Sequence, residues 1–312
     1  MYILPEEIKR RVFRRYRKRS REIVVDERFR GWAWELPPID PPYDITLGLS
    51  SITSRYCLSM RDIYLKYVQS KRGLRNIKMV EGSLYHAIAA AAIENAKRLV
   101  YVLGKVDGNE FGTQMNQISR EIIESMIKRH NKSGLITSKL ELGRISRNMQ
   151  WIWDHSTNQI ITALQNVLTT QPYIGLDALV NTAIPVVVEQ RLDGKNIGLS
   201  GHLSSDAFGV EGIVVDIKTG QKRRFHRLAT TGYAMVIESI HEYPVDVGCI
   251  LYCQFGDALP PHIEYDVHTI DESLRMEFLE MRDAAMKLVF DQMDPGMPEK
   301  CYDGCQYWDD CH

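Results

Sequence analysis

Gly212–Ile213–Val214–Val215–Asp216–Ile217–Lys218–Thr219–Gly220 is the stretch on which the fold turns. It reads as a strand apolar enough to be central in a sheet, closed by a turn at Thr219–Gly220. Strand alternation puts Asp216 and Lys218 on one face and buries Ile217 on the other. A carboxylate beside an ammonium at a strand end can hold a divalent metal and, with the lysine, position a water. Asp206 lies on the preceding strand, so two carboxylates can converge across the sheet. Hard oxygen ligands of this kind suit Mg²⁺ or Mn²⁺. Such an ion lowers the pKa of its bound water and stabilises charge building on a phosphate. Taken alone, Asp-x-Lys is equally the mark of an exposed, salt-bridged strand end.

Outward from this strand the pattern is consistent. Val186 to Arg191 is a strand, Asp193–Gly194 signals a hairpin, and Ile197 to Phe208 is the returning strand. His226 to Glu242 is a helix, Asp246 to Phe255 a strand and Ile263 to Val267 an edge strand. A last helix opens on the capping-box pair Thr269 and Glu272 and runs to about Met293, where Pro295, Gly296 and Pro298 stop it. Upstream, Ser50 to Gln69 reads as a helix start and an amphipathic helix. A second helix carries Gly82 and His86 and continues to about Val102. Asn109 to Leu168 is helical, interrupted at Lys132–Ser133–Gly134. The expectation is a mixed α/β core with a helical insertion at about 109–170. Residues 1–48 form a basic helix and a proline-broken linker (Trp34 to Pro42), and residues 49–312 the main domain.

The chain has 312 residues, 44% hydrophobic and 25% charged, as in an ordinary globular protein. A formal net charge of −1 does not announce a nucleic-acid binder, so any such binding rests on local charge. Local charge is uneven. Residues 5–22 carry Lys9, Arg10, Arg11, Arg14, Arg15, Arg17, Lys18, Arg19 and Arg21 on a helical pattern. Such a surface attracts a phosphate backbone, with Arg14, Arg15 and Lys18 as candidate contacts. A solvated helix pairing with acidic parts of its own chain, or docking to an acidic partner, would look the same. No signal-peptide core follows Met1, and the run Ala89–Ile93 ends in Glu94 and Lys97, too short to span a bilayer. The expectation is a cytoplasmic protein that does not engage membranes, whose six cysteines are reduced.

Three of those cysteines, Cys301, Cys305 and Cys311, lie within eleven residues at the C-terminus, interleaved with aromatics behind a Pro/Gly break. A thiolate-rich site needs a fourth ligand, and Cys57 is the natural candidate. Zinc would use the same thiols, and His312 could substitute for one of them. Cys249 and Cys253, in an apolar strand, read as buried.

The order of Gly82-x-x-x-His86, an acidic residue, Asp216-x-Lys218 and Tyr233 resembles the RecB-like branch of the PD-(D/E)xK nucleases. Carried over by that resemblance, His86, Asp206 and Asp216 are metal ligands, with the Ile217 carbonyl as a further one. Lys218 orients the attacking water, and Tyr233 belongs to the nucleic-acid-binding helix. Two positions depart from the pattern. Ala229 stands where the family has glutamine, and Ser204 stands where its first acid falls, with Asp206 as the nearest carboxylate. One early cysteine and three terminal ones resemble the iron–sulfur staple of the CRISPR-associated Cas-four family, and the segments from Val214 to Gly220 and from Gly232 to Glu238 resemble its longer archaeal branch, Csa-one. The resemblance implies a 4Fe–4S cluster in preference to 2Fe–2S on Cys57, Cys301, Cys305 and Cys311, joining the N- and C-terminal segments around the nuclease core. It also implies an exonuclease that trims captured DNA, favouring single-stranded ends, during spacer acquisition with the CRISPR integrase proteins. A non-catalytic DNA-binding adaptor that retains the fold is the alternative.

Overall fold

The computed structural model describes residues 5–16, 18, 22, 25–104, 107–130, 136, 138–209, 212–256 and 260–312. Five strands form one mixed sheet in sequence order: β1 (Val186–Leu192), β2 (Leu203–Gly209), β3 (Ile213–Lys218), β4 (Val247–Gln254) and β5 (His262–Thr269). β3 and β4 are parallel, from Ile213 opposite Val247 to Lys218 opposite Tyr252. The other neighbours are antiparallel. A parallel pair cannot be closed by a hairpin, and the helix Arg227–His241 supplies the crossover. β3 is central and buried along its length except at Lys218, as its apolar run requires.

Helices cover both faces. On one side lie Ile77–Leu103, Gly108–His130, Lys139–Thr170 and Leu176–Ala183, packed against Ile213, Val215 and Ile217 of β3 and Cys249, Leu251 and Cys253 of β4. The alanines 89–92 are all buried, and their small side chains bring the Ile77–Leu103 helix close to its neighbours. On the other side Arg227–His241 and Glu272–Asp291 pack with Leu49–Thr53 over Val214. Gly232 is where these helices touch: a Cβ there would sit 2.3 Å from Leu49 and 2.8 Å from Phe278. Residues 25–48 enter this second layer through Val25, Phe29, Ile39 and Leu47. The fully buried guanidinium of Arg282 holds the proline turn there, donating to the carbonyls of Ile39 (2.6 Å), Pro38 (2.9 Å) and Ile197 (3.3 Å).

Several local expectations are corrected. β1 and β2 form the expected antiparallel hairpin, but not through a tight two-residue turn at Asp193–Gly194: Gly194 sits at φ −95°, whereas an Asp-Gly tight turn needs positive φ. The chain instead makes a 3₁₀ turn, Lys195–Ile197, before β2 starts at Leu203. The final helix is capped by Asp271, whose carboxylate accepts from Leu274 N at 3.1 Å, while Thr269 is the last residue of β5. Ser50 to Gln69 is split into Leu49–Thr53 and Arg61–Tyr67, with Cys57 in the loop between. The basic N-terminal helix is described only as Glu6–Arg11 followed by π-helical Val12–Tyr16, whose last turn packs by β5. Arg17, Arg19, Arg21 and the break at 132–134 lie outside the described residues.

Candidate active site

The β2–β3 ladder pairs Gly209 with Ile213, Phe208 with Val214 and Ala207 with Val215. One step further along the same register, Asp206 faces Asp216. There the Ile217 N–H, where the ladder would continue, donates to Asp206 Oδ2 at 3.0 Å. The same oxygen lies 3.0 Å from His86 Nδ1, which reaches it from the Ile77–Leu103 helix. Since Nδ1 faces the carboxylate, Nε2 is the imidazole nitrogen with a lone pair to offer. Lys218 Nζ lies 3.1 Å from Asp216 Oδ1 and 2.8 Å from Oδ2. Oδ2 is nevertheless a buried atom that accepts no hydrogen bond of proper angle. Tyr233 completes the group from the crossover helix, its hydroxyl donating to Ser204 O at 2.6 Å. Thus His86, Asp206, Asp216, Lys218 and Tyr233 are brought together from four elements. The side chain of Ile217 is buried on the opposite face. On β1, Glu189 occupies the left-handed region (φ 49°) between the pairs Val188–Ala207 and Gln190–Ser205, so the edge strand is strained beside Asp206.

Charge at this cluster is set by burial against pairing. Burial raises the Asp216 carboxyl above the usual carboxylate range despite Lys218. Burial works the same way on Asp206, but His86, Lys218 and the Ile217 N–H outweigh it and hold that carboxyl low. For His86, burial favours the neutral ring, and the Asp206 carboxylate more than offsets it, so its proton affinity rises. Two facing carboxylates pushed in opposite directions, beside an imidazole whose Nε2 can ligate when the ring is neutral, are a donor set that suits a hard divalent cation. Among the described residues, no three His, Cys, Asp or Glu side chains converge closely enough to hold an ion as they stand.

Cys57, Cys301, Cys305 and Cys311 all line one cavity of about 920 Å³. Hydrogen bonds tie the two ends of the chain around it. Leu74 N donates to Gln306 O at 2.7 Å, Ser59 Oγ to Gly296 O at 2.8 Å, and Asn76 Nδ2 to Gly304 O at 3.0 Å. Ion pairs Arg61–Asp294 (2.8 Å) and Lys71–Asp310 (2.8 Å) follow the same seam. Gly73 lies against the Gln306 side chain, which would have to move to admit a Cβ 2.5 Å away. Burial pushes the Cys305 and Cys311 thiols up. Cys249 and Cys253 are fully buried, as expected, and burial raises each thiol to about 12.

Arg14, Arg15 and Lys18 are exposed, and nothing in the structure links them to this cluster. What sequence reasoning missed is Tyr56. It sits beside Cys57, stacks on Tyr302 (4.7 Å between centroids) and lies within electrostatic reach of Lys218. Its adjacency to Cys57 was the available signal. The buried tetrad Arg30, Glu238, Asp246 and Arg275 was also missed, because its members are scattered along the chain. Arg275 and Glu238 are fully buried and paired at 2.6 Å, and Arg30 also bonds Glu238 at 2.9 Å.

The family model described as "CRISPR-associated exonuclease Csa1" matches residues 1–312. A protein of that name from Saccharolobus solfataricus is 33% identical over 290 residues, covering 92% of each chain. Another from Thermoproteus tenax is 28% identical over 303 residues, covering 96% of each. No helix among the described residues is long and apolar enough to cross a membrane. A match spanning the whole length, with a relative one-third identical over nearly all of it, places this chain in the CRISPR-associated exonuclease Csa1 family.

Proposed function

We propose that this protein is a metal-dependent DNA exonuclease of RecB-like, PD-(D/E)xK design, with its site at His86, Asp206, Asp216 and Lys218. The observation that carries the reading is the facing pair Asp206 and Asp216, with a lysine on one carboxylate and a histidine on the other. Mg²⁺ or Mn²⁺ bound by His86, Asp206, Asp216 and the Ile217 carbonyl would supply a water of lowered pKa and positive charge for the phosphoryl oxygen. Lys218, freed from its bond to Asp216, orients that water and offsets negative charge as the phosphodiester breaks. Tyr233 buttresses β2 through Ser204. Arg14, Arg15 and Lys18 add a salt-sensitive hold on the DNA backbone.

The four thiols around one cavity support a 4Fe–4S cluster that clamps the two chain ends without passing electrons. Zinc would leave the protein colourless, whereas a cluster gives broad visible absorption and iron on metal analysis. The relatives' names put the activity in a CRISPR setting, and we assign it to trimming single-stranded ends of captured DNA before integration, in the cytoplasm and together with the integrase proteins.

The test is cleavage of an end-labelled DNA by wild type and Lys218→Ala with Mn²⁺ supplied. Loss of cleavage in the variant supports the assignment, and equal activity removes it. A second reading, a DNA-binding adaptor without catalysis, is favoured by Asp206 Oδ2 being already engaged twice and by the lack of a convergent ligand trio among the described residues. It predicts DNA binding and no cleavage in either protein.

A further inference from the structure

The cavity between the four thiols and the end of β3 is lined by more than cysteine. Tyr56 and Tyr302 stack at 4.7 Å and 28° on its wall, one from the Cys57 loop and one from the C-terminal segment. Both rings remain more than a third exposed, at 38% and 39%. Tyr56 is held in place. Its ring meets Phe225 edge-on at 5.1 Å, and its hydroxyl lies 3.5 Å from His226 Nε2. His226 is itself buried and bonded through Nδ1 to Tyr252 OH at 3.1 Å, whose hydroxyl is bound to Arg223 O. The cavity continues to Thr219 and Gly220, the residues immediately after Lys218.

Cations flank the same opening. Lys78, at the start of the His86 helix, and Arg223 line it, as do Lys66 and the carboxylates of Asp62 and Glu81, the latter paired with Arg144. Neither Lys78 nor Arg223 forms an ion pair among the described residues. A cationic groove floored by aromatic faces is how proteins hold single-stranded nucleic acid without reading its sequence. The charges track the backbone and each base offers a π-face. Duplex DNA keeps its bases stacked on each other and has no use for such a step.

We propose that the Tyr56–Tyr302 pair is a stacking step for the terminal bases of a single strand. It seats the strand end in the cleft and so sets which phosphodiester reaches Lys218. The inference rests on the nuclease reading for its consequence, but the binding step stands apart from it.

The experiment uses the full chain and a short single-stranded oligonucleotide carrying 2-aminopurine near one end. It is first titrated without added divalent ion, so that nothing is cut. Wild type quenches the fluorophore by stacking. Tyr302→Leu and Tyr56→Leu weaken binding about ten-fold, as the loss of one base–aromatic stack implies, while Tyr302→Phe binds within about two-fold of wild type. With Mn²⁺ added, the Leu variants raise KM by a similar factor and change the spacing of the products, with kcat little altered. Thermal midpoint and metal content, compared across all four proteins, report whether a variant is folded. Leu variants that are folded and bind and quench like wild type overturn the proposal, as does equal weakening by Tyr302→Phe. Should wild type bind and quench but never cut, the stacking step stands and the nuclease reading falls.

Discussion

At the scale of single residues, the question is which side chain serves as the first acid. Asp206 stands where the family spacing would not put it, and Ser204 stands where it would. The geometry separates them. Asp206 meets His86 and the Ile217 N–H, whereas the Ser204 side chain is exposed and only its carbonyl is used, by Tyr233. We therefore expect Asp206→Asn to lower DNA cleavage by about 10²-fold or more, on the scale of removing one preorganised electrostatic group. Ser204→Ala should stay within about two-fold of wild type, as expected for an exposed side chain distant from such features. End-labelled cleavage assays at saturating Mn²⁺ check both, and the reverse ranking would reassign the acid. The sequence offered Asp206 as the nearest carboxylate, but the partners that would bear out that choice were not legible in it. Both lie on the same strand face, so alternation cannot tell them apart, and the partner that distinguishes them sits on a helix more than a hundred residues away.

At the scale of elements, Asn76 is the joint between the thiol seam and the His86 helix. Its carbonyl oxygen caps that helix by accepting from Met79 N at 3.0 Å, and its amide nitrogen donates to Gly304 O at 3.0 Å. Asn76→Ala should cost about 1–3 kcal/mol in urea unfolding, the sum of a lost cap and a lost hydrogen bond. Asn76→Asp keeps the cap but cannot donate, so it should fall between the two. A midpoint for Asn76→Ala close to wild type would contradict this role. The crossover helix has its own anchor in Glu238, which accepts from Arg30, Arg275, Gly31 N and Val245 N with no exposure to water. Removing one partner of a buried ion pair leaves the other uncompensated, so Glu238→Ala should destabilise by about 3–5 kcal/mol. A denaturation midpoint close to wild type would contradict it. Neither role was visible beforehand, because a cap that also bridges to residue 304 and a carboxylate shared by two arginines are defined by their partners.

For the whole molecule, acid sensitivity follows from histidines buried in neutral form. Burial pushes His268 down to about 4; its ring lies 3.0 Å from Asp266 O and 3.0 Å from Thr230 Oγ1. The Asp266 carbonyl can only accept, which puts the ring proton on Nδ1. The folded-state pKa is below the unfolded value, so the unfolded chain binds the extra proton first. This contribution to stability is complete above about pH 6.5 and is lost as pH falls toward 4, by roughly 1.4 kcal/mol per pH unit. Thermal midpoints measured from pH 7.5 to 4.5 should decline accordingly, and His268→Gln should flatten the decline. An unchanged slope in the variant would assign acid sensitivity elsewhere. The seam around the thiols is the other whole-molecule feature. If the proposed cluster is present, Cys57→Ser and Cys305→Ser should each abolish visible absorption and bound iron and lower the midpoint, because the two thiols come from the two segments such a cluster would join. Retained colour in either would remove that cysteine from the ligand set.

Elements and their chemistry were already written in the order of the residues. The β-branched run made β3 central, helical periodicities set the long helices to within a few residues, and the terminal cysteines marked one wall of the cavity. These are local properties, carried by neighbouring residues and by periods of two and 3.6. Other meetings of distant groups came from the folded chain alone: Tyr56 with Tyr302, Asn76 with Gly304, Glu238 with two arginines. Such meetings depend on strand register and on the packing of whole layers, and no single stretch of chain encodes either one.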